Sequence, residues 1–230
     1  MLDARLMSAA SFVRQDAIFA DIGTDHAFLP VFLLECGRIS RAIAADINEG
    51  PLESAKKTVA AAGLADRVEL VRTNGALGLD GRGITDYAIC GMGGELIADI
   101  VASSEHLKSD KVNLILIPMS RQGHLRAELK RRGFKILEER YSFADGKYYV
   151  CILASFRGEP ERVDPISVEL GMIPKEDGGR VEYIGYLEGK LAAFKKRHDG
   201  LLMGGVDPKC ERELILAIND RIKAVKELLL

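Results

Sequence analysis

Over the first two thirds of the chain, short apolar runs alternate with stretches of helical period. "AIFADIG" (17–23), "RAIAADI" (41–47), "RVELVR" (67–72), "TDYAICG" (85–91) and "VNLILIP" (112–118) read as strands. Helical segments lie between them. One runs from about Ala27 to Cys36. Pro51 opens a second, "LESAKKTVAAAG", which stops at Gly63. A third starts on glycine in "GELIADIVASS", and a fourth spans roughly Arg121 to Arg132. Largely apolar strands alternating with helices imply a parallel sheet covered on both faces.

The pattern then changes. "FKILEERYSF" and "KYYVCILASF" flank Asp145-Gly146, a tight-hairpin signal. The parallel sheet therefore ends in an antiparallel pair. A nicotinamide-binding domain more often continues with further βαβ units, whereas a terminal hairpin is the class I methyltransferase arrangement. From about Gly158 a charged, Pro-containing linker, "RGEPERVDP", leads into two helices. Ile184, Leu187, Leu191, Phe194, His198 and Leu201 form one heptad seam. Ile215, Ile218, Ile222, Val225 and Leu229 form another, and "GGVDPK" (204–209) joins the two. The expected fold is α/β: a Rossmann-like class I methyltransferase sheet over residues 1–157, then an antiparallel, coiled-coil-like helical hairpin over 158–230.

Composition narrows the function classes. The 230 residues suit one sizeable α/β domain with an appendage. Lys and Arg total 32 against 34 Asp and Glu, a net charge of −2, so the chain as a whole is no generic polyanion binder. Cys36, Cys90, Cys151 and Cys210 are too scattered for a zinc knuckle or a redox pair and read as small buried hydrophobes. The start, "MLDARLMSAA", carries no secretory pattern, and no apolar run reaches the length of a membrane span. A cytoplasmic protein without bound metal is expected.

The candidate chemistry gathers at strand ends. In "DIGTDHAFLP", Asp21 ends the first strand and Gly23 permits a tight turn beside a ligand. Asp46, at the end of the second strand, is placed to accept hydrogen bonds from a ribose. That fits a nicotinamide dinucleotide and S-adenosylmethionine alike. Asp25 favours the second, because a pyrophosphate on a helix N-terminus is opposed by a carboxylate, whereas a sulfonium tolerates one. Asp25 could also simply cap the following helix, and His26 could simply pack. After the fourth strand, Gly91, Gly93 and Gly94 around Met92 leave backbone amides bare at the ligand-binding edge.

"ADIGTDHAFLP", "ADINEGPLESAKK" and "CGMGGELI", in this order, resemble the bacterial tRNA adenine-N1 methyltransferases that modify adenine 22 of tRNA. "LDARL", "IPMS" and "DGKYYV" strengthen the resemblance, which covers residues 2–157. It implies S-adenosyl-L-methionine as cofactor, tRNA as substrate and no metal. Asp21, Gly23, Thr24 and His26 would lie along the cofactor, Asp46 and Ile47 at its ribose, Asn74 and Gly75 at its adenine, and Gly91, Met92 and Gly93 at its methionine and reacting end. Asp25 would be the catalytic carboxylate, and Arg5, Pro118 and Met119 would border the substrate. The chain departs from the family at Asn74-Gly75, where an acid is common, and at Ile117-Pro118-Met119, where Gln-Pro-Asn is common.

Adenine N1 carries a free lone pair at neutral pH, so no strong base is needed, and a carboxylate that stabilises the charge developing on the ring suffices. An RNA substrate needs a positive track. "SRQGHLRAELKRRGFK" offers Arg121, Arg126, Lys130, Arg131, Arg132 and Lys135, with one acid, Glu128, beside the expected active edge. A second basic run, Lys195 to Arg197, lies on the helical hairpin, whose acids nearly balance its bases. Three other readings remain at this point: a small-molecule methyltransferase, a nicotinamide-dependent oxidoreductase, and a non-catalytic RNA-binding module. The chain is expected to act as a monomer or weak homodimer.

Overall fold

In the computed structural model, which describes residues 2–230, the apolar runs become β1 (Phe19–Ile22), β2 (Ala42–Asp46), β3 (Val68–Arg72), β4 (Asp86–Met92) and β5 (Asn113–Pro118), all parallel. The hairpin strands are β6 (Phe134–Ala144) and β7 (Lys147–Phe156). Asp145 and Gly146 both take positive φ between them, as a two-residue turn matching the strand twist requires. The sheet order is β3-β2-β1-β4-β5-β7-β6. The second hairpin strand is thus inserted antiparallel against β5, and β6 is left at the edge. The strand order reverses between β1 and β4, so a crevice opens at their carboxyl ends.

Both faces of the sheet are covered. The helices are α1 (Ala4–Phe12), α2 (Phe28–Glu35), α3 (Glu49–Ala61), α4 (Gly94–Ser103), α5 (Gln122–Arg131), α6 (Pro165–Leu170), α7 (Asp177–Met203) and α8 (Lys209–Glu227). One core layer joins α1, α2 and α3 to Phe19, Ala44 and Ile115. The other joins α4 and α5 to Ile22, Ile89 and Leu116. Two helices were not expected from the pattern. In α1, Asp3 accepts a hydrogen bond from the Leu6 amide at 2.8 Å and so caps the helix. In α6, Asp164 caps and Pro165 occupies the first turn. The helix expected to open at Pro51 begins at Glu49; a proline is tolerated in a first turn, where its missing N–H had no partner to lose.

The seams of the C-terminal helices face each other, but their inner halves do more. Tyr183, Ile184, Tyr186 and Leu187 of α7 and Ile218, Ile222 and Val225 of α8 join the same apolar cluster as Tyr141 and Val150 of the sheet. Farther along α7, Leu191, Phe194, His198 and Leu201 are only half-buried. Leu229, expected as the last seam position, lies beyond the end of α8 and is exposed.

Candidate active site

The loop after β1 is wound tightly. Gly23 takes φ +75°, and the amides of Gly23 and Thr24 both donate to the Ala45 carbonyl, at 2.8 and 3.0 Å. A Cβ on Gly23 would overlap the methyl at the end of the flexible Met92 side chain, and the positive φ disfavours any other residue there. Thr24 is buried, and its hydroxyl accepts from the Ala27 amide at 3.1 Å. This settles the alternative roles of Asp25 in part. Thr24 serves the backbone at the turn, and Asp25 caps nothing. Its side chain is 79% exposed and lies 3.6 Å from the His26 imidazole. The His26 ring lies parallel to Phe28, with centroids 5.0 Å apart.

Asp21 is the opposite case. It is buried under the loop, and its carboxyl is pushed up to about 6 from 3.8 by burial; a hydrogen bond with Thr24 works against the rise and the Asp46 charge adds to it. Asp46 uses one oxygen to accept the Asn48 amide at 2.7 Å. Ile47 beside it is exposed. Across β3, Asn74 is exposed and Gly75 turns at φ +60° with Ile100 directly below.

The glycines after β4 have separate causes. Gly91, at φ +83°, interrupts the β4–β5 register, and the Met92 carbonyl then accepts the Met119 amide at 2.8 Å. Gly93 is the N-cap residue of α4. A Cβ on Gly94 would stand 2.6 Å from the Arg121 carbonyl oxygen, so a bare backbone is needed for the loops after β4 and β5 to meet.

These loops and the start of α1 enclose a cavity of about 420 Å³, lined by Asp3, Arg5 and Leu6, by Asp21 and Gly23–Leu29, and by Cys90 and Gly91. Arg5 reaches across it, with its guanidinium 3.7 Å from the Met119 sulfur and 5.5 Å over the Tyr149 ring. Asp3, Leu6 and Phe28 were not singled out from the sequence, and Cys90 was read only as a small buried hydrophobe. The Cys90 thiol is pushed well up by burial, which leaves it a small protonated wall rather than a nucleophile. Among the described residues no cluster of His, Cys, Asp and Glu could hold a metal ion, and no helix is long and apolar enough to cross a membrane.

The expected RNA-facing helix needs a correction. Arg126, read as part of the positive track, points inward and is 2% exposed. Its guanidinium meets Glu139 of β6 at 2.6 and 3.3 Å and donates to the Val168 carbonyl at 2.9 Å. The charges that remain on the surface are partly answered. Arg131 and Arg132 share Glu128, and Lys130 meets Glu161 at 3.2 Å. Arg121, at the start of α5, is exposed and 3.5 Å from Glu95. Pro118 is buried and Met119 exposed. On α7, Lys195 and Lys196 are exposed.

A family described as a methyltransferase domain matches residues 2–152. Over 173 residues the chain is 35% identical to the tRNA (adenine(22)-N(1))-methyltransferase of Bacillus subtilis strain 168, covering 75% of this chain and 72% of that protein. A Streptococcus pneumoniae chain crystallised in complex with S-adenosyl-L-methionine is similar over 100% of both chains, with 30% identity and a TM-score of 0.76. TrmK of M. capricolum in complex with S-adenosyl-homocysteine is 25% identical, with a TM-score of 0.71, over 100% of this chain and 98% of that one.

Proposed function

The chain belongs to the tRNA (adenine(22)-N1)-methyltransferase family, and from that membership we propose that it transfers a methyl group from S-adenosyl-L-methionine to N1 of adenine 22 in tRNA. One observation carries the reading: a single cavity at the carboxyl ends of β1 and β4 brings together a buried acid, an exposed acid and bare backbone.

The residues present fit the cofactor. Gly23 and Gly91 let backbone approach where any side chain would intrude or strain the turn. Burial raises the Asp21 pKa to about 6, and a cationic ligand beside it would stabilise its charged form. Asp46 keeps one oxygen for ribose hydroxyls, Ile47 gives an apolar face for the adenine ring, and Asn74 with Gly75 lies at that ring's edge. His26 and Thr24 complete the wall, and Met92 and Gly93, at the end of β4 next to Gly91, would meet the methionine end of the cofactor. When bound, S-adenosyl-L-methionine supplies an electrophilic methyl group on a sulfonium.

Asp25 does the chemistry that this chain contributes. Its exposed carboxylate accepts a hydrogen bond from the exocyclic amine of the substrate adenine and stabilises the positive charge that grows on the ring. No proton leaves N1 and no covalent enzyme intermediate forms. Alignment supplies much of the remaining rate. Arg5 and Met119 border the incoming nucleotide, with Pro118 behind them. Arg121, Lys130, Arg131 and Arg132, together with the hairpin of residues 158–230, meet the tRNA backbone, while residues 1–157 hold the cofactor. The enzyme works in the cytoplasm as a monomer or weak homodimer and needs no metal.

Labelled methyl transfer into unmodified tRNA, followed by identification of the product nucleoside, tests this. N1-methyladenosine at position 22 is the expected product. Cofactor binding with no label in tRNA would overturn the reading.

A further inference from the structure

One wall of the cavity has no part in the chemistry above. Phe28, the first residue of α2, leaves 52% of its surface exposed. An aromatic ring held in water at the mouth of a polar cavity forgoes the stabilisation that burial would give it. The backbone before it is strained. Ala27 sits at φ 54°, a conformation disfavoured for any residue with a β-carbon. That kink brings residues 26 and 28 to the same side of the chain, where the two rings stack with planes only 14° apart. Both line the same cavity as Gly23, Asp25 and Gly91.

Among the described residues lining the cavity, the only other flat group that could stack on a base is the Arg5 guanidinium, which is already engaged by the Tyr149 ring and the Met119 sulfur. Apart from Phe28 and His26 the lining has no ring, and the loop after β4 offers only glycines and Met92. Phe28 is also open on a second side, where it borders a smaller hollow of about 240 Å³ with Leu2, Val31 and Phe32. An adenine that is to be methylated at N1 must present a free Watson–Crick edge, because N1 lies on that edge, and an enzyme can reach it by lifting the base from its stack. Proteins that take up such a base stack it on aromatic side chains.

We propose that Phe28, with His26 stacked against it, is the platform on which the target adenine lies, so that its pairing edge is held at Asp25. This rests on the methyl-transfer reading of the site. It makes Phe28 a residue for the substrate base, supported by His26, which also belongs to the cofactor wall.

The test separates stacking from packing. Phe28→Leu keeps apolar bulk and removes the π face, whereas Phe28→Trp and Phe28→Tyr keep the face. For Phe28→Leu, kcat/KM toward tRNA is expected to fall about 10- to 100-fold. The aromatic variants should stay within about threefold of wild type, and S-adenosyl-L-methionine Kd should hold within about twofold in all of them, since stacking serves only the base. The second readout is tRNA carrying 2-aminopurine at position 22, bound in the presence of S-adenosyl-homocysteine. Its emission should be dimmer on the wild-type enzyme than on Phe28→Leu, because stacking quenches it. Equal kcat/KM and equal emission for wild type and Phe28→Leu would overturn the platform even if N1-methyladenosine forms normally. Stacking-dependent emission from a wild-type enzyme that makes no N1-methyladenosine would keep the platform and overturn the reaction instead.

Discussion

Two of the buried carboxylates in this molecule, Glu139 and Asp21, are treated in opposite ways. Glu139 on β6 is surrounded by donors: the Arg126 guanidinium, the Tyr141 hydroxyl at 2.7 Å and the Met172 amide at 2.7 Å. Burial, and after it the Glu139 charge, push the Tyr141 phenol well up, so it stays protonated and donates. Arg221 of α8 adds bonds to the Gly171 carbonyl and the Tyr183 hydroxyl, at 3.3 and 3.1 Å. Every charge is answered from within, and the result ties α5, β6, the 168–172 segment and the C-terminal helices into one body. Asp21 has Thr24 for company and Asp46 for a neighbour, with no cation beside it. A paired buried carboxylate is part of the scaffold. An unpaired one at a glycine-lined cavity is where the proposed cofactor would bring its positive charge.

Removing one partner at the first place should have the largest effect. Arg126→Met strands the Glu139 charge in the interior and is expected to cost about 3–5 kcal/mol of folding stability. Adding Glu139→Gln, which still accepts from Tyr141 and Met172, should restore more than half of that in a denaturant titration. If the single and double variants were equally unstable, the charge pair would not be what matters.

Asp21 should show itself through pH. A carboxyl pushed up to about 6 prefers its neutral form in the folded chain, so ionising it lowers stability. The cost is absent below about 3.8, grows with rising pH and is complete above about 6, amounting to at most about 3 kcal/mol. Asp21→Asn should therefore stabilise the ligand-free chain at pH 8 and leave it unchanged near pH 4. Cofactor binding runs the other way. Affinity for S-adenosyl-L-methionine should weaken as pH falls below about 6, by up to about tenfold per pH unit, and Asp21→Asn should flatten that profile. A wild-type affinity that does not change between pH 5 and 8 would show that the acid does not meet the cation.

The smallest expected effect lies on the surface. Arg131→Ala with Arg132→Ala should weaken tRNA binding and reduce the slope of log K against log salt by about 1–2. An unchanged slope would take the end of α5 out of the RNA path.

How much of this contrast could be read from the chain depended on range. The strands emerged within a residue or two because each is an apolar run, and the Asp145-Gly146 turn named its own hairpin. The insertion of β7 between β5 and β6 was hidden, since a hairpin pattern says which strands pair but not which one meets the sheet. The start of α1 was overlooked because its buried positions, Ala9, Ala10 and Phe12, are mostly small. Arg126 was misread because charge was counted along α5 without regard to face. Leu125, Ala127 and Leu129 bury beside it, and its partner lies on another element. At the site, the acids and glycines were legible as a motif. The exposure of Asp25 and the parallel rings of His26 and Phe28 were not, because they depend on the path of the loop, including a positive φ at Ala27 that no local pattern announces.

The central claim is that the exposed acid of this loop acts on the reacting base while the cofactor is held by its neighbours. Single-turnover methyl transfer by Asp25→Ala, measured alongside S-adenosyl-L-methionine Kd, tests it most directly. The expected result is a rate lower by about 100- to 1000-fold with Kd within about tenfold of wild type. A cofactor affinity that collapses in step with the rate would make Asp25 a binding residue and contradict the account.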